Sequence, residues 1–294
     1  MSQPKKTTYS NTFTIGFMVV LSFVCAFILS LLASALSVPK EDARELDRSR
    51  QMLLAARIYN GAGYFQIEKD DEYVPAQALP DGKLVPTEEK IAPSAQDVLA
   101  VYRARIKPML VDDEGNLTTF AEAKIDEDEY VAKNKKKGYG HLPLKLIYEI
   151  MPNVGEEGPP IGYVIPVSGF GLWDYIYGYI AVAPDGVHVI GISWYEHKET
   201  PGLGANIAEA DWQSQFPGKS IFQGDATGAI DVEESSLGVI VVRGKVKNVL
   251  GTGPKANNAV DGMSGATLTG NGVMRAYQDT LTPYRPFFVQ LNKT

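Results

Sequence analysis

The stretch Phe13–Val38 holds 26 consecutive residues without a charged side chain, and no other feature constrains the chain as much. At about 1.5 Å per residue it makes roughly 39 Å of helix, enough to cross a hydrocarbon core of about 30 Å with some tilt. Pro39 and the charged Lys40-Glu41-Asp42 are expected to end it. A cleavable signal peptide is the competing reading, with Lys5 and Lys6 ahead of the apolar run and Ala33-Ser34-Ala35 as a small-residue cleavage site. Signal-peptide apolar cores span only about 7–15 residues, so the length favours a retained anchor. Charge does not fix the orientation. Lys5 and Lys6 argue for a cytoplasmic N-terminus, while Lys40, Arg44, Arg48 and Arg50 crowd the other end, and acidic neighbours do little to cancel them. The span contains no Asp, Glu, Lys, Arg or His, so it offers no ion or proton relay of its own.

Beyond the anchor the composition is that of a folded body. The chain is 45% hydrophobic and 21% charged, neither a disordered polar chain nor a polytopic membrane protein. Its 28 basic and 35 acidic residues leave a net charge of −7, which gives no electrostatic ground for nucleic acid as a partner. The single cysteine, Cys25, excludes an internal disulfide and an iron–sulfur cluster held by this chain alone. No C-x-x-C-H is present, so no c-type haem is attached.

Leu46, Leu53 and Leu54 recur at helical spacing, which predicts an amphipathic helix over Glu41–Tyr59. Glu68–Ser94, with Pro75, Pro80, Pro86 and Pro93, reads as an irregular polar excursion. A helix is expected over Ala95–Lys107, stopped by Pro108, and Lys133, Lys135, Lys136 and Lys137 read as a solvated loop. Strands are expected at Ile161–Val167, Tyr175–Ala183 and Val187–Tyr195, the last two joined by an Asp185-Gly186 hairpin turn. Leu237–Val242 and Lys245–Leu250 read as a further strand pair turning at Arg243-Gly244, and Gly272–Leu281 as a helix closed by Pro283. The fold class is α+β: one N-terminal transmembrane helix, then a mainly antiparallel sheet with flanking helices. The expected organisation is a cytoplasmic tail (1–12), the anchor (13–38), a membrane-proximal helical and irregular part (39–160) and a ligand-binding domain (161–294).

One segment carries chemistry: Asp261-Gly262-Met263-Ser264-Gly265-Ala266-Thr267-Leu268-Thr269. Its small residues let a ligand approach the backbone, and its hydroxyls sit near a predicted helix start, a good seat for a phosphate. On these grounds alone an ordinary loop with Ser264, Thr267 or Thr269 as helix N-cap is the better reading, because Ser-Gly-rich turns are common. The three histidines, His141, His188 and His197, have no metal-ligand spacing, so no metal site is expected.

The string Asp261–Thr267 resembles the flavinylation motif D-x-x-S/T-G-A-T of bacterial redox membrane complexes. Glu199-Thr200-Pro201-Gly202-Leu203-Gly204 resembles the E-T-P-G-L-G loop of the same FMN-binding domain family. Gly171-Leu172-Trp173 with Tyr177-Gly178-Tyr179 resembles its G-L-W…Y-G-Y segment, and the closing Tyr284-Arg285-Pro286-Phe287 also fits. This family includes the C subunit of sodium-translocating NADH:quinone reductases and the usually shorter G subunit of Rnf-type complexes. The chain's length and its long region before Ile161 favour the former.

The resemblance implies FMN attached by a phosphoester to Thr267, with Ser264, Gly265 and Ala266 around the phosphate. It implies a flavin transferase that uses FAD as donor and needs magnesium. Trp173 is then expected against the isoalloxazine ring, Leu203 on the ring face, and Thr200 and Gly204 as hydrogen-bonding contacts. Glu199 is expected in a structural role or toward the ribityl chain, Asp261 as support of the Thr267 loop or as a metal contact during transfer, and Lys247, with Lys245, as a further flavin contact. The chain shows no G-x-G-x-x-G between strand and helix, so NADH oxidation is expected in another subunit. The resemblance implies a relay in which electrons arrive from an iron–sulfur centre and leave toward FMN in the B subunit and then quinone, with the B, D and E subunits of a six-subunit complex as partners. It also implies the bacterial inner membrane, with the body on the extracytoplasmic side where the transferase acts. The alternatives are the Rnf-type subunit and an unflavinylated, membrane-tethered binding module.

Overall fold

The computed structural model describes residues 10–70 and 72–293, in two units that divide between Asp47 and Arg48. In the first, α1 (Asn11–Ala35) is an apolar helix of 25 residues with none of its side chains buried. At about 1.5 Å per residue it is long enough to span a membrane. Lys5, Lys6 and the rest of the stretch before residue 10 lie outside the described residues. A second helix, α2 (Ser37–Ala55), begins almost at once, so Pro39 does not end a helix as expected. It falls in the first turn of α2, where the missing N–H costs nothing.

The second unit continues with β1 (Phe65–Lys69), β2 (Glu72–Ala78) and β3 (Leu84–Pro86), then α3 (Ala95–Arg105), β4 (Ile106–Val111), β5 (Leu117–Thr118), α4 (Phe120–Ala123), α5 (Glu127–Asn134) and β6 (Lys145–Ile150). It then runs through β7 (Gly162–Phe170), β8 (Tyr175–Val182), β9 (Val189–Glu196), α6 (Ala210–Gln213), β10 (Ile240–Val241), α7 (Val246–Val249), β11 (Ala259–Val260), α8 (Thr267–Leu281) and α9 (Arg285–Asn292).

The frame is a six-stranded antiparallel sheet in the order β5-β4-β6-β7-β8-β9. The boundary expected at residue 160 falls between β6 and β7, neighbours in this sheet. Strand β8 alternates: Ile176 and Ile180 enter the main core, while Tyr175, Tyr177 and Tyr179 take the other face. Helix α8 packs on β7 and contributes Val273, Ala276, Tyr277 and Leu281 to the core, which Tyr284, Phe287 and Phe288 extend. Trp194 Nε1–H donates to the Tyr277 hydroxyl at 3.0 Å, so neither buried aromatic strands a polar atom. Truncating such a ring to Ala costs about 3–5 kcal/mol.

Three expectations need correction. Glu68–Ser94 is not irregular: β1–β2–β3 form an antiparallel sheet, with Pro75 paired opposite Gln66 and its carbonyl accepting from Thr87 N–H at 2.9 Å. Helix α3 ends at Arg105, and Pro108 lies inside β4. Strand β5 pairs only with Leu110 and Val111, so Pro108 is flanked on one side only, where proline is tolerated. The second apolar run after Gly244 is not a strand: β10 pairs in parallel with β11, and Val246–Val249 is a helical turn.

Candidate functional site

Helix α8 begins at Thr267, five residues earlier than its periodicity predicts. Its N-cap is Ala266, which has no capping side chain, so none of Ser264, Thr267 and Thr269 acts as the cap. The first helical bond runs from Gly270 N–H to Ala266 O at 3.0 Å. Ahead of it, the N–H groups of Thr267, Leu268 and Thr269 meet no acceptor among the described residues. Such an end carries partial positive charge. Thr267 itself is exposed, as is Leu268. Gly265, at φ +73°, turns the chain into the helix in a conformation L side chains rarely adopt.

The loop ahead of Thr267 is tied down at Asp261. Its Oδ1 accepts from Val246 N–H at 2.7 Å, opening α7, and its Oδ2 pairs with Lys245 Nζ at 2.9 Å. Its backbone is fixed too: Trp212 Nε1–H donates to Asp261 O and Asp261 N–H to Gln215 Oε1, both at 2.9 Å. Burial works to raise the Asp261 carboxyl, but the Val246 N–H and the Lys245 ammonium outweigh it and hold the group below the ordinary carboxylate range. Lys245 is engaged by Asp261, whereas Lys247 is exposed on α7 and makes no hydrogen bond or ion pair among the described residues.

The other two motif segments converge on this helix start. Leu203 lies against the loop, its Cδ2 2.9 Å from where a Cβ on Gly265 would stand. Trp173 is 64% exposed at the turn between β7 and β8, and its Nε1–H donates to Thr200 Oγ1 at 3.1 Å. Thr200 therefore orients the indole, leaving its hydroxyl hydrogen to donate elsewhere. Glu199, 4% exposed, sits beneath them. Its Oε1 accepts from Leu172 N–H at 2.8 Å and Trp173 N–H at 3.2 Å, and its Oε2 from Thr269 Oγ1–H at 2.5 Å. A Cβ on Gly171 would stand 2.5 Å from Oε1, and one on Gly204 would stand 2.6 Å from Oε2. Both glycines make room for this carboxylate. Thr269 stands in the motif segment, where it reads as an N-cap candidate and instead bonds Glu199; Trp212 and Gln215, which complete the framework, carry no signal in the sequence.

The result is a surface ledge. An exposed hydroxyl stands at an uncapped helix N-terminus, flanked by the exposed apolar side chains of Leu172, Trp173, Leu203 and Leu268. The free N–H groups suit a phosphate, and the apolar flank suits a flat aromatic ring. The residues present fit a flavin mononucleotide.

Comparison with known proteins agrees. The FMN-binding domain family matches residues 171–282, which include every residue of the ledge. The C subunit of the Na(+)-translocating NADH-quinone reductase from Chlamydia muridarum is 37% identical over 303 residues, covering 96% of this chain and 94% of its own. That of Chlamydia caviae is 37% identical, covering 99% and 96%. The crystal structure of the C subunit from Parabacteroides distasonis shares the fold, with a TM-score of 0.55, 23% identity, and coverage of 86% of this chain and 96% of that one. With such identity across nearly the whole length, the chain belongs to the family of C subunits of Na(+)-translocating NADH-quinone reductases.

Proposed function

We propose that Thr267 carries FMN covalently and that the protein relays electrons within a sodium-translocating NADH:quinone reductase. They pass from an iron–sulfur centre in neighbouring subunits to the FMN of the B subunit, and then to quinone. The observation that carries this reading is the exposed Thr267 hydroxyl heading an uncapped helix, with Trp173 and Leu203 beside it. On attachment, Thr267 Oγ forms the new bond to the flavin-side phosphorus of FAD. The pyrophosphate bond breaks, AMP leaves, and the hydroxyl proton passes to the leaving phosphate or to water. A flavin transferase with magnesium carries this out. Thr267 is thus an attachment point and not a nucleophile acting on a metabolic substrate.

The backbone N–H groups of Thr267, Leu268 and Thr269 would then hold the phosphate with fixed dipoles. Ser264, Gly265 and Ala266 shape the approach. Trp173, oriented by Thr200, and Leu203 with Gly204 would bound the ring. Lys247, exposed on α7 and without a partner among the described residues, would be a further flavin contact. When bound, the flavin supplies one-electron chemistry, which a hydride carrier does not, and the protein supplies position and electrostatics.

Helix α1 anchors the chain in the bacterial inner membrane, and residues 161–294 serve as the FMN-binding domain. The body lies on the extracytoplasmic side, where the transferase works and a lost flavin would not readily be replaced. The B, D and E subunits of a six-subunit complex are the partners. Two-sided coverage above 90% by C subunits supports this assignment over the shorter Rnf-type G subunit.

The test is ultraviolet illumination of a denaturing gel of the full chain made with and without the transferase. The expected result is a fluorescent band at this mass in the first lane only. Dark bands in both lanes would overturn covalent attachment and favour an unflavinylated, membrane-tethered module.

A further inference from the structure

Glu199 joins the two halves of the ledge with a charge that no cation shares. Its carboxylate is 4% exposed and accepts from Leu172 and Trp173 in the ring-side turn and from Thr269 one turn into the phosphate-side helix. Among the described residues no Lys, Arg or His pairs with it; the adjacent Lys198 pairs with Asp174 instead. Gly171 and Gly204 make the room it occupies, since a Cβ on either would crowd its oxygens.

We infer that Glu199 is a positioning residue for the flavin and that its buried charge sets the flavin's reduction potential. This rests on the covalent-flavin reading above. Two consequences follow from elementary electrostatics. A fixed negative charge in a poorly hydrated wall opposes the arrival of an electron at a neighbouring acceptor. Hydrogen bonds donated to that charge offset it, and the Thr269 hydroxyl is the one side-chain donor of the three. Removing the charge and removing the donor therefore have opposite effects. Glu199→Gln keeps the shape: its amide oxygen accepts from the two N–H groups, and its amide nitrogen donates to Thr269 Oγ. Thr269→Val keeps both shape and charge but loses the donor, and Thr269→Ser restores the donor.

The experiment is a redox titration, followed by flavin absorbance, of the full-length chain in detergent after co-production with the transferase. Glu199→Gln is expected to shift the midpoint of its attached flavin to more positive potential, Thr269→Val to more negative potential, and Thr269→Ser to leave it near that of the wild type. Shifts of the same sign in Glu199→Gln and Thr269→Val, or none in either, would overturn the inference, because a merely structural role moves both alike. If Glu199→Gln gains no flavin, the contrast between Thr269→Val and Thr269→Ser decides: a negative shift in the first alone supports the inference, and equal potentials overturn it. A wild-type chain without attached flavin would sink the underlying reading as well. A flavinylated wild type with unmoved variants would sink this inference alone.

Discussion

Two helix starts in this protein are built in opposite ways. At α3, Ser94 and Asp97 form a reciprocal capping box: Ser94 Oγ accepts from Asp97 N–H at 3.2 Å, and Asp97 Oδ2 accepts from Ser94 N–H at 2.9 Å. At α8, Ala266 offers no cap, the first turn holds no acidic residue, and three N–H groups meet no acceptor among the described residues. A cap contributes about 1 kcal/mol, so the end of α8 gives up stability that α3 keeps. The difference teaches where function is placed. The α3 start satisfies its own terminus, and the α8 start, which bears the motif hydroxyl, leaves three N–H groups open among the described residues.

The sharpest way to break this contrast is Thr267→Ala. The variant should lose all covalent flavin by in-gel fluorescence. Its thermal unfolding should stay within about 0.5 kcal/mol of the wild type, because Thr267 is exposed and caps nothing. Flavin persisting on the denatured variant would remove Thr267 from the account. Next comes Gly204→Ala, whose new Cβ would stand 2.5 Å from Thr269 Oγ1 and 2.6 Å from Glu199 Oε2. It should cost about 1–3 kcal/mol in denaturant unfolding and lower the flavin occupancy, since it wedges the two halves of the ledge apart.

Ser94→Ala sharpens the other side. It should cost about 1 kcal/mol and leave flavin occupancy unchanged; a loss of flavin would mean that the two helix ends are not independent. The smallest effect concerns Asp261, whose carboxyl is held below the ordinary range against the pull of burial. A group depressed in the folded state adds stability above its unfolded value and loses it as pH falls through the folded one. The stability advantage of the wild type over Asp261→Asn should therefore be present near neutral pH and fade below about pH 4. An advantage that does not change with pH would assign Asp261 a packing role only.

Legibility in the sequence followed how local each cause was. The uncharged run gave α1 and the Asp185-Gly186 turn gave the β8–β9 hairpin, because both depend on near neighbours. The β1–β3 sheet was hidden because prolines read as breakers, although Pro75 needs only its carbonyl and pairs acceptably. The run after Gly244 has strand-like composition, yet Asp261 captures Val246 N–H and starts a helical turn there. The early start of α8 was hidden because Thr-Leu-Thr-Gly-Asn is a poor helix former. Burial of Thr269 and Gly270 against the rest of the unit overrides that propensity. The motifs named the ledge, but the role of Glu199 depends on partners 26, 27 and 70 residues away, which no local pattern reveals.

Covalent attachment at Thr267 is tested by peptide mass spectrometry of the chain made with the transferase. Cleavage after Lys255 and Arg275 releases residues 256–275, which contain Thr267. This peptide is expected to be heavier by FMN less one water, with fragmentation placing the addition on Thr267. The same peptide unmodified, or the flavin found on any other residue, would contradict it.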